Sequence, residues 1–306
     1  MPAFILRRFL SSIVVLFCVV SITFLLSRAQ KGGPFERERM TPEAKAKKER
    51  QYELDGPAWW QLQRYLGKVF LHADLGVSIR YSDRTVTEIL AQKMPNSIKL
   101  GGCAFLIASL GGVALGFAAA MRKDSALDVS CMFFALGAVS VPTFITGPLM
   151  IAVFGLWLRW LPVGGWGNLK QIIMPSVCLA LPYLAYVSRL TRNSLLEVMS
   201  QNYMRTAKAK GLDDATALFK HALKIALLPV ITYLGPMAAY VLTGSFIIES
   251  VFNISGAGSL FVNAIQNVDP FLLTGAVSVY CAAILLFNFI VDVSYGVLDK
   301  RIQLNG

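Results

Sequence analysis

The sequence predicts an all-α, polytopic membrane protein with six transmembrane helices and both termini in the cytoplasm. Of its 306 residues, 55% are hydrophobic and only 15% are charged, whereas ordinary soluble domains are about 45–50% apolar and about 25% charged. Six stretches contain no Asp, Glu, Lys, Arg or His, and each approaches or exceeds the roughly 20 residues that a helix needs to cross a bilayer. They lack the polar–apolar alternation of barrel strands, and a chain this apolar is neither disordered nor a plain soluble enzyme. The stretches are residues 9–27, 100–121, 129–158, 171–188, 227–248 and 272–291.

The first apolar stretch follows Arg7 and Arg8, a pattern that also occurs in secretory signal peptides. The uncharged run from residue 9 to 27 is longer than the roughly 7–15 residues of a signal-peptide core. Ser27 and Ala29 form a small-x-small triplet that is typical of a cleavage site. Because of the length of the run we expect a retained transmembrane helix, with a cleaved signal as the alternative.

Residues 29–99 separate the first two stretches, and we expect them to form an extracytoplasmic loop or lid. Thr41 and Pro42 predict the start of a charged helix that runs to Glu53. Pro57 predicts a second, amphipathic helix, whose Trp and Tyr residues favour the membrane–water boundary. This helix can lie on the bilayer as a lid or serve as a docking platform for a soluble partner. Its apolar side comprises Trp59, Trp60, Leu62, Tyr65, Leu66 and Val69.

The third stretch, residues 129–158, is longer than one straight span needs, and it contains Pro142 and Pro148. Proline removes a helical hydrogen bond and bends the helix, so we expect a bend or break near residues 142–148. Such a bend can line a transport pathway or can pack against small residues of neighbouring helices. The candidate pathway or gate residues are Pro142 and Phe144 at this bend and Thr243, Ser245 and Glu249 at the end of the fifth stretch.

The basic residues indicate the orientation of the helices. With a cytoplasmic N-terminus, the inner segments carry thirteen Lys and Arg residues, whereas the short outer loops 159–170 and 249–271 carry two and none. Cytoplasmic loops are the ones that carry excess positive charge. The long segment from residue 28 to 99 falls outside this rule, and its fourteen basic residues are accompanied by nine acidic ones. The net charge of +11 therefore reflects membrane topology, and we expect no nucleic-acid partner.

The absence of charge from the six stretches bears on the energy source for any transport. Proton- and sodium-coupled carriers place ionisable groups within the membrane, and this sequence offers no such site there. It also lacks the GxxxxGK[ST] phosphate-binding loop. If the protein moves a solute uphill, we expect another subunit to supply the energy. The five cysteines all lie in apolar stretches, so we expect them to be packing residues and not to form a disulfide or a metal site. They are Cys18, Cys103, Cys131, Cys178 and Cys281.

The inner segment 189–226 predicts a helix, a tight turn and a second helix that runs into the membrane. The first helix covers residues 200–210, Gly211 ends it, and Asp213 suits the N-cap of the second. Three interpretations fit: a solvated loop that only sets topology, a DNA-reading helix-turn-helix, and a coupling element that inserts into a cytoplasmic partner. Tethering to spans at both ends argues against DNA, whereas coupling explains the small residues and the helix–glycine–helix order together.

The same segment resembles the EAA loop of ABC importer permeases, in the form found in peptide importers. The matching residues are Tyr203-Met-Arg-Thr-Ala-Lys-Ala-Lys-Gly-Leu212 and Lys220-His-Ala-Leu-Lys-Ile-Ala-Leu-Leu-Pro229. Further matches include Phe4-Ile-Leu-Arg-Arg8, Asp74-Leu-Gly-Val-Ser78, Leu161-Pro-Val-Gly-Gly165, Arg189, Arg192 and Val291-Asp292. Gly235-Pro236 and Thr243-Gly-Ser245 are more similar to the first permease subunit of oligopeptide importers than to the dipeptide branch.

The resemblance implies a type I ABC importer permease fold in the bacterial cytoplasmic (inner) membrane. The implied partners are a second permease, two cytoplasmic ATPases that bind the ATP, an extracytoplasmic peptide-binding protein, the peptide substrate and membrane lipid. The chain itself would form half of the pathway, catalyse no reaction and hold no cofactor or metal. Its ATPase-coupling residues would be Arg205, Thr206, Ala207, Lys208, Gly211, Leu212 and Asp213, with Arg205-Thr206 in place of the usual Glu-Ala.

The implied organisation has four parts. Residues 1–28 form the N-terminal segment with the first helix, and residues 29–99 form the outer segment. Residues 100–296 form the permease core, which contains the coupling loop 189–226, and residues 297–306 form a cytoplasmic tail.

Other cargoes and other functions fit the same features. The cargo can instead be a dipeptide, glutathione, a cell-wall peptide or a metal chelate. One rival function is an ATP-independent channel. Co-purification of an ATPase with the native complex would favour the importer, whereas a stable homo-oligomer without an ATPase would favour the channel. A membrane-embedded enzyme needs a polar catalytic set at membrane depth. The stretches offer only scattered residues such as Ser140, Thr143, Thr243 and Asn288.

Overall fold

A computed structural model of the chain describes residues 2–30, 33–35, 40–81, 84–209, 211 and 222–298. Within these ranges the regular structure is helical, apart from one isolated antiparallel bridge between Val77 and Thr85. Five helices are long and apolar enough to cross a membrane, and one bent pair makes a sixth crossing if its halves count as one span. The predicted all-α fold with six spans is confirmed, whereas the cytoplasmic placement of both termini stays a prediction.

The described helices follow one another along the whole chain. Two of them are extended by short π-helical segments, Ile107–Gly111 between α4 and α5 and Ile151–Trp157 after α7. In chain order the helices are α1 (Pro2–Ala29), α2 (Pro42–Gln51), α3 (Ala58–His72), α4 (Val86–Leu106), α5 (Gly112–Met121), α6 (Ala126–Ser140), α7 (Thr143–Met150), α8 (Leu169–Met199), α9 (Asn202–Ala209), α10 (Leu223–Ala226), α11 (Leu228–Leu242), α12 (Phe246–Val251), α13 (Gly258–Gln266) and α14 (Pro270–Leu298).

The chain forms two compact units. Unit 1 comprises Met1–Ser97, Ser255–Phe289 and Gly296–Gly306, and unit 2 comprises Ile98–Ile254 and Ile290–Tyr295. Unit 1 therefore contains the outer segment with α2 and α3, and unit 2 contains the helices on either side of the inner segment.

In unit 1, helix α3 packs on α1 through part of its predicted apolar side. The ring of Tyr65 stacks on Phe24 with their centroids 5.1 Å apart, and Leu62, Leu66 and Val69 pack around them. Trp59 and Trp60 remain exposed. The two tryptophans are thus free to lie at a bilayer surface, as a lid requires, but that placement stays a prediction.

A second cluster of unit 1 joins α4, α13 and α14. Asp269, which precedes α14, accepts hydrogen bonds from the Ser78 hydroxyl at 2.6 Å and from the backbone N–H groups of Ile79 and Leu272 at 2.9 and 3.0 Å. One buried carboxylate therefore caps α14 and fixes the turn that ends the Asp74–Ser78 match. The apolar members of the cluster are Val86, Ile89, Leu90, Ala257, Leu260, Ala264, Leu272 and Ala276.

In unit 2, helix α8 is central, since α5, α6, α7 and α11 all pack against it. Small residues permit the close approach of α5: a Cβ on Gly112 would lie 2.7 Å from the Cβ of Val187. The predicted stretch ended at residue 188, where charged residues begin, but the helix continues to Met199. The buried core around α8 includes Leu100, Met174, Cys178, Leu179, Val187, Val230, Met237, Val241, Ile248 and Phe252.

The third predicted span is broken as its prolines indicate. Helix α6 ends at Ser140, Pro142 precedes α7, and the axes of the two helical parts differ by 108°. The predicted bend is therefore confirmed.

The fifth span ends earlier than predicted. We expected an uninterrupted stretch over residues 227–248, but α11 ends at Leu242. Gly244 has φ +101°, which is accessible to glycine but strained for other residues, and Ser245 then caps the short helix α12. Hydropathy records the lack of charge in this stretch but does not indicate that the helix breaks at the glycine.

Candidate functional site

The predicted coupling segment contains helix α9, whose Met204 is buried against other helices of unit 2. Met204 is 1% exposed and packs into an apolar cluster at the ends of α5 and α8. Met204 was not predicted as a site residue, although its long apolar side chain in a segment rich in Lys and Arg was a usable signal. The other members of the cluster are Ala120, Leu195, Val198, Ala222 and Ala226.

The remaining coupling candidates lie on α9 or just beyond it. Thr206 is exposed, and its hydroxyl donates to the Asn202 carbonyl at 3.1 Å. Gly211 has φ +86°, and a Cβ there would have no heavy atom within 4 Å. The glycine is thus required by backbone conformation and not by crowding, as expected of a residue that ends a helix. Arg205, Ala207 and Lys208 lie on α9 with side chains outside the described set, and Leu212 and Asp213 lie outside the described residues altogether.

A buried ion pair joins the start of α6 to α8, two turns before the end of α8. The Arg192 guanidinium donates from Nε to Oδ1 of Asp128 at 2.5 Å and from a terminal nitrogen to Oδ2 at 2.6 Å. Asp128 is 2% exposed and also accepts the backbone N–H of Asp124 at 3.0 Å. Sequence reasoning noted Arg192 through the family resemblance but did not find Asp128, because the pairing depends on which faces of α6 and α8 meet.

The gate candidates divide between two neighbouring elements of unit 2. Pro142 and Phe144 lie at the bend before α7, and α7 packs against α12: a Cβ on Gly147 would lie 2.9 Å from Cγ1 of Val251. Ser245 is the N-cap of α12, accepting the N–H of Ile248 at 3.4 Å.

The two remaining gate candidates, Glu249 and Thr243, lie in different surroundings. Glu249 is buried on α12 at 1% exposure. Thr243 donates its hydroxyl to the Ala239 carbonyl of its own helix at 2.8 Å. The bend and α12 therefore lie together, whereas the Thr243 hydroxyl is bonded within its own helix. A gating role for all five residues stays a prediction.

A groove between α8 and α11 was not predicted. Its volume is about 550 Å³, and the rings of Tyr186 and Tyr233 meet in it with their centroids 4.3 Å apart. The tyrosines within two predicted spans were the available signal, but only the juxtaposition of the two helices shows that they form one surface. The groove is lined by Tyr186, Leu190, Leu228, Pro229, Thr232, Tyr233 and Pro236.

No three His, Cys, Asp or Glu side chains among the described residues are arranged to hold a metal ion. That the chain holds no metal or cofactor of its own stays a prediction.

Comparison with known proteins identifies the family. Residues 112–304 match the model of the binding-protein-dependent transport system inner membrane component. The chain is 44% identical over 306 residues to the oligopeptide transport system permease protein OppB of Salmonella typhimurium, with 99% of this chain and 100% of the relative covered. The chain belongs to this permease family. The permease is also 39% identical to the dipeptide transport system permease protein DppB of Bacillus subtilis, over 100% of this chain and 99% of the relative.

The fold agrees with this assignment. The inward-facing MetNI methionine ABC transporter is similar with a TM-score of 0.56 and 13% identity, over 70% of this chain and 97% of that chain. The likeness confirms the ABC permease fold alone. Membership of the family places the permease in the inner membrane as a transport component, and it implies that a second permease and ATPases work with it. The matched residues 112–304 include α8, α9, α11 and α12, whereas α2 and α3 precede them.

Proposed function

We propose that the permease forms half of the translocation pathway of an ATP-driven oligopeptide importer and couples that pathway to cytoplasmic ATPases through α9. The packing of α9 carries this proposal, because its buried Met204 ties this short helix to the end of α8. The similarity to oligopeptide permeases supports the cargo. In this importer the partners are a second homologous permease, two ATPases that bind the ATP, and an extracytoplasmic peptide-binding protein.

The coupling follows from the packing of unit 2. A force on α9 acts on the end of α8 through the apolar cluster around Met204, since close-packed interiors transmit displacement. Helix α8 in turn contacts α5, α6, α7 and α11, and the Asp128–Arg192 pair fixes α6 to it. Movement of the ATPases can thus reach both the bend before α7 and the groove beside α11.

Charge reversal in the coupling segment tests this role. Arg205→Glu and Gly211→Glu should abolish uptake of a labelled oligopeptide into proteoliposomes that contain the complete complex, while membrane insertion and ATP hydrolysis persist. Lys170→Glu is the matched control, since Lys170 is exposed at the start of α8, at the opposite end from α9. Normal peptide uptake by both coupling variants would contradict the coupling role of α9.

The dipeptide branch is the second candidate for the cargo, because the Bacillus subtilis dipeptide permease is similar over the whole chain. Competition of labelled pentapeptide uptake by unlabelled peptides of two to six residues distinguishes the two. An oligopeptide importer is inhibited most by the longer peptides, whereas a dipeptide importer is inhibited most by the dipeptide.

A further inference from the structure

The side of α8 that remains exposed in unit 2 is polar along its second half. Tyr186, Arg189, Asn193 and Glu197 recur at intervals of three or four residues, and all four are exposed. That spacing places them on one face of the helix. The guanidinium of Arg189 lies over the Tyr186 ring, 5.8 Å from its centroid. The polar face therefore begins at the groove between α8 and α11.

The tyrosines of this groove lie within helices that cross the membrane. Tyr233 lies in α11, five residues after its start at Leu228 and nine before its end at Leu242, so about 8 Å of helix separate it from the nearer end at 1.5 Å per residue. Tyr186 contacts Tyr233 and so lies at a similar depth. Thr232, next to Tyr233, is exposed in the same groove.

Polar side chains at this depth do not face lipid. In membrane proteins such groups point into the bundle or towards a water-filled cavity, because hydrocarbon offers them no hydrogen-bond partner. The contrast with α6 is clear, since Phe133, Phe134 and Leu136 are exposed there and suit contact with acyl chains.

We propose that Tyr186, Tyr233 and Arg189 form a peptide-binding subsite on the wall of the translocation pathway, in which the two rings contact the peptide chain and Arg189 binds its terminal carboxylate. This inference rests on the proposed function and adds a recognition element to it. Aromatic rings provide contact area that tolerates many side chains, and a guanidinium pairs with a carboxylate through two parallel hydrogen bonds. Every peptide with a free C-terminus carries that carboxylate, so the subsite reads a feature common to peptides of any sequence.

A pair of peptides tests the subsite. Uptake of a labelled alanine pentapeptide with a free C-terminus is compared with uptake of its C-terminal amide, in proteoliposomes containing the complete complex and its binding protein. For the unmodified permease we expect faster uptake of the free acid. Arg189→Gln should reduce the ratio of acid to amide uptake about fivefold, the value of one partly exposed ion pair, and Arg189→Lys should restore part of it. Arg122→Gln, an exposed arginine at the end of α5, is the matched control and should leave the ratio unchanged.

The rings are tested separately from the charge. Tyr186→Ala should slow uptake of both peptides, whereas Tyr186→Phe, which keeps the ring, should transport them at close to the unmodified rate. An unchanged ratio in Arg189→Gln overturns the subsite while leaving ATP-driven peptide uptake by the unmodified complex intact. Loss of the second permease on purification of Tyr186→Ala also overturns it, because the groove would then be a subunit interface. If the unmodified complex takes up neither peptide, the proposed function itself fails.

Discussion

At the scale of single residues, the Asp128–Arg192 pair is the most tightly enclosed charge interaction among those described in unit 2. The carboxylate accepts two hydrogen bonds from the guanidinium and one from the N–H of Asp124. A buried partner left without its counterpart costs more than the pair contributes. The pair therefore serves to fix the position of α6 on α8 more than to add net stability.

Removing the carboxylate charge should expose that cost. Asp128→Asn should lower the free energy of unfolding by about 1–3 kcal/mol, since Arg192 loses a charge-assisted partner, and thermal unfolding of the detergent-purified complex measures this as a lower Tm. Asp124→Asn is the control, because its carboxylate is exposed and Asn tolerates its positive φ. Equal Tm values for the two variants would contradict the structural role of the pair.

Gly244 makes a second residue-level prediction. Its φ of +101° strains any residue with a Cβ, so Gly244→Ala should destabilise the permease by about 1–2 kcal/mol. Gly137 provides the comparison: it lies within α6, and a Cβ there meets no atom within 4 Å. Gly137→Ala should leave the Tm unchanged or raise it, since alanine is the better helix former. A smaller Tm loss for Gly244→Ala than for Gly137→Ala would show that the break between α11 and α12 does not need glycine.

At the scale of elements, α9 depends on its anchor more than on its own length. A helix of eight residues is too short to be stable alone in water, and Met204 supplies the packing that holds it on unit 2. Among the described side chains of α9, the exposed ones are thereby held in a defined orientation: Asn202, Tyr203, Thr206 and Ala209.

Loosening this anchor should uncouple the transporter. Met204→Ala should cost about 2–5 kcal/mol of packing free energy in the cluster around Met204. In this variant, peptide-loaded binding protein should no longer stimulate ATP hydrolysis by the complex. Met204→Leu conserves volume and should retain most of the stimulation. The assay is the ratio of ATPase rates with and without loaded binding protein, and a normal ratio in Met204→Ala would show that α9 does not transmit the signal through this contact.

At the scale of the whole molecule, the sequence determined the class of fold because lipid imposes long uncharged helices, and these are visible without a structure. The bend before α7 was predictable from Pro142, because the effect of proline on a helix is local and does not depend on the rest of the fold. The helix and glycine of the predicted coupling segment lie where expected, as α9 and Gly211, and its coupling role stays a prediction.

The groove and the polar face of α8 were beyond the sequence analysis. Tyr186 and Tyr233 are distant in the chain, and their contact depends on which faces of α8 and α11 meet. The polar face crosses residue 188, where the charge-free stretch ends, so a search limited to uncharged runs divides it. Asp128 was missed for a similar reason, since its partner lies on another helix.

The absence of Asp, Glu, Lys, Arg and His from the six apolar stretches leads to the central claim, that peptide transport through this permease is driven by ATP bound to other subunits. The most direct measurement is the final ratio of internal to external free labelled oligopeptide in proteoliposomes with the complete complex, its binding protein and ATP. The account predicts accumulation well above the external concentration with ATP and none with a non-hydrolysable analogue. Uptake that stops at equal concentrations and proceeds without ATP would contradict it and would indicate a passive channel.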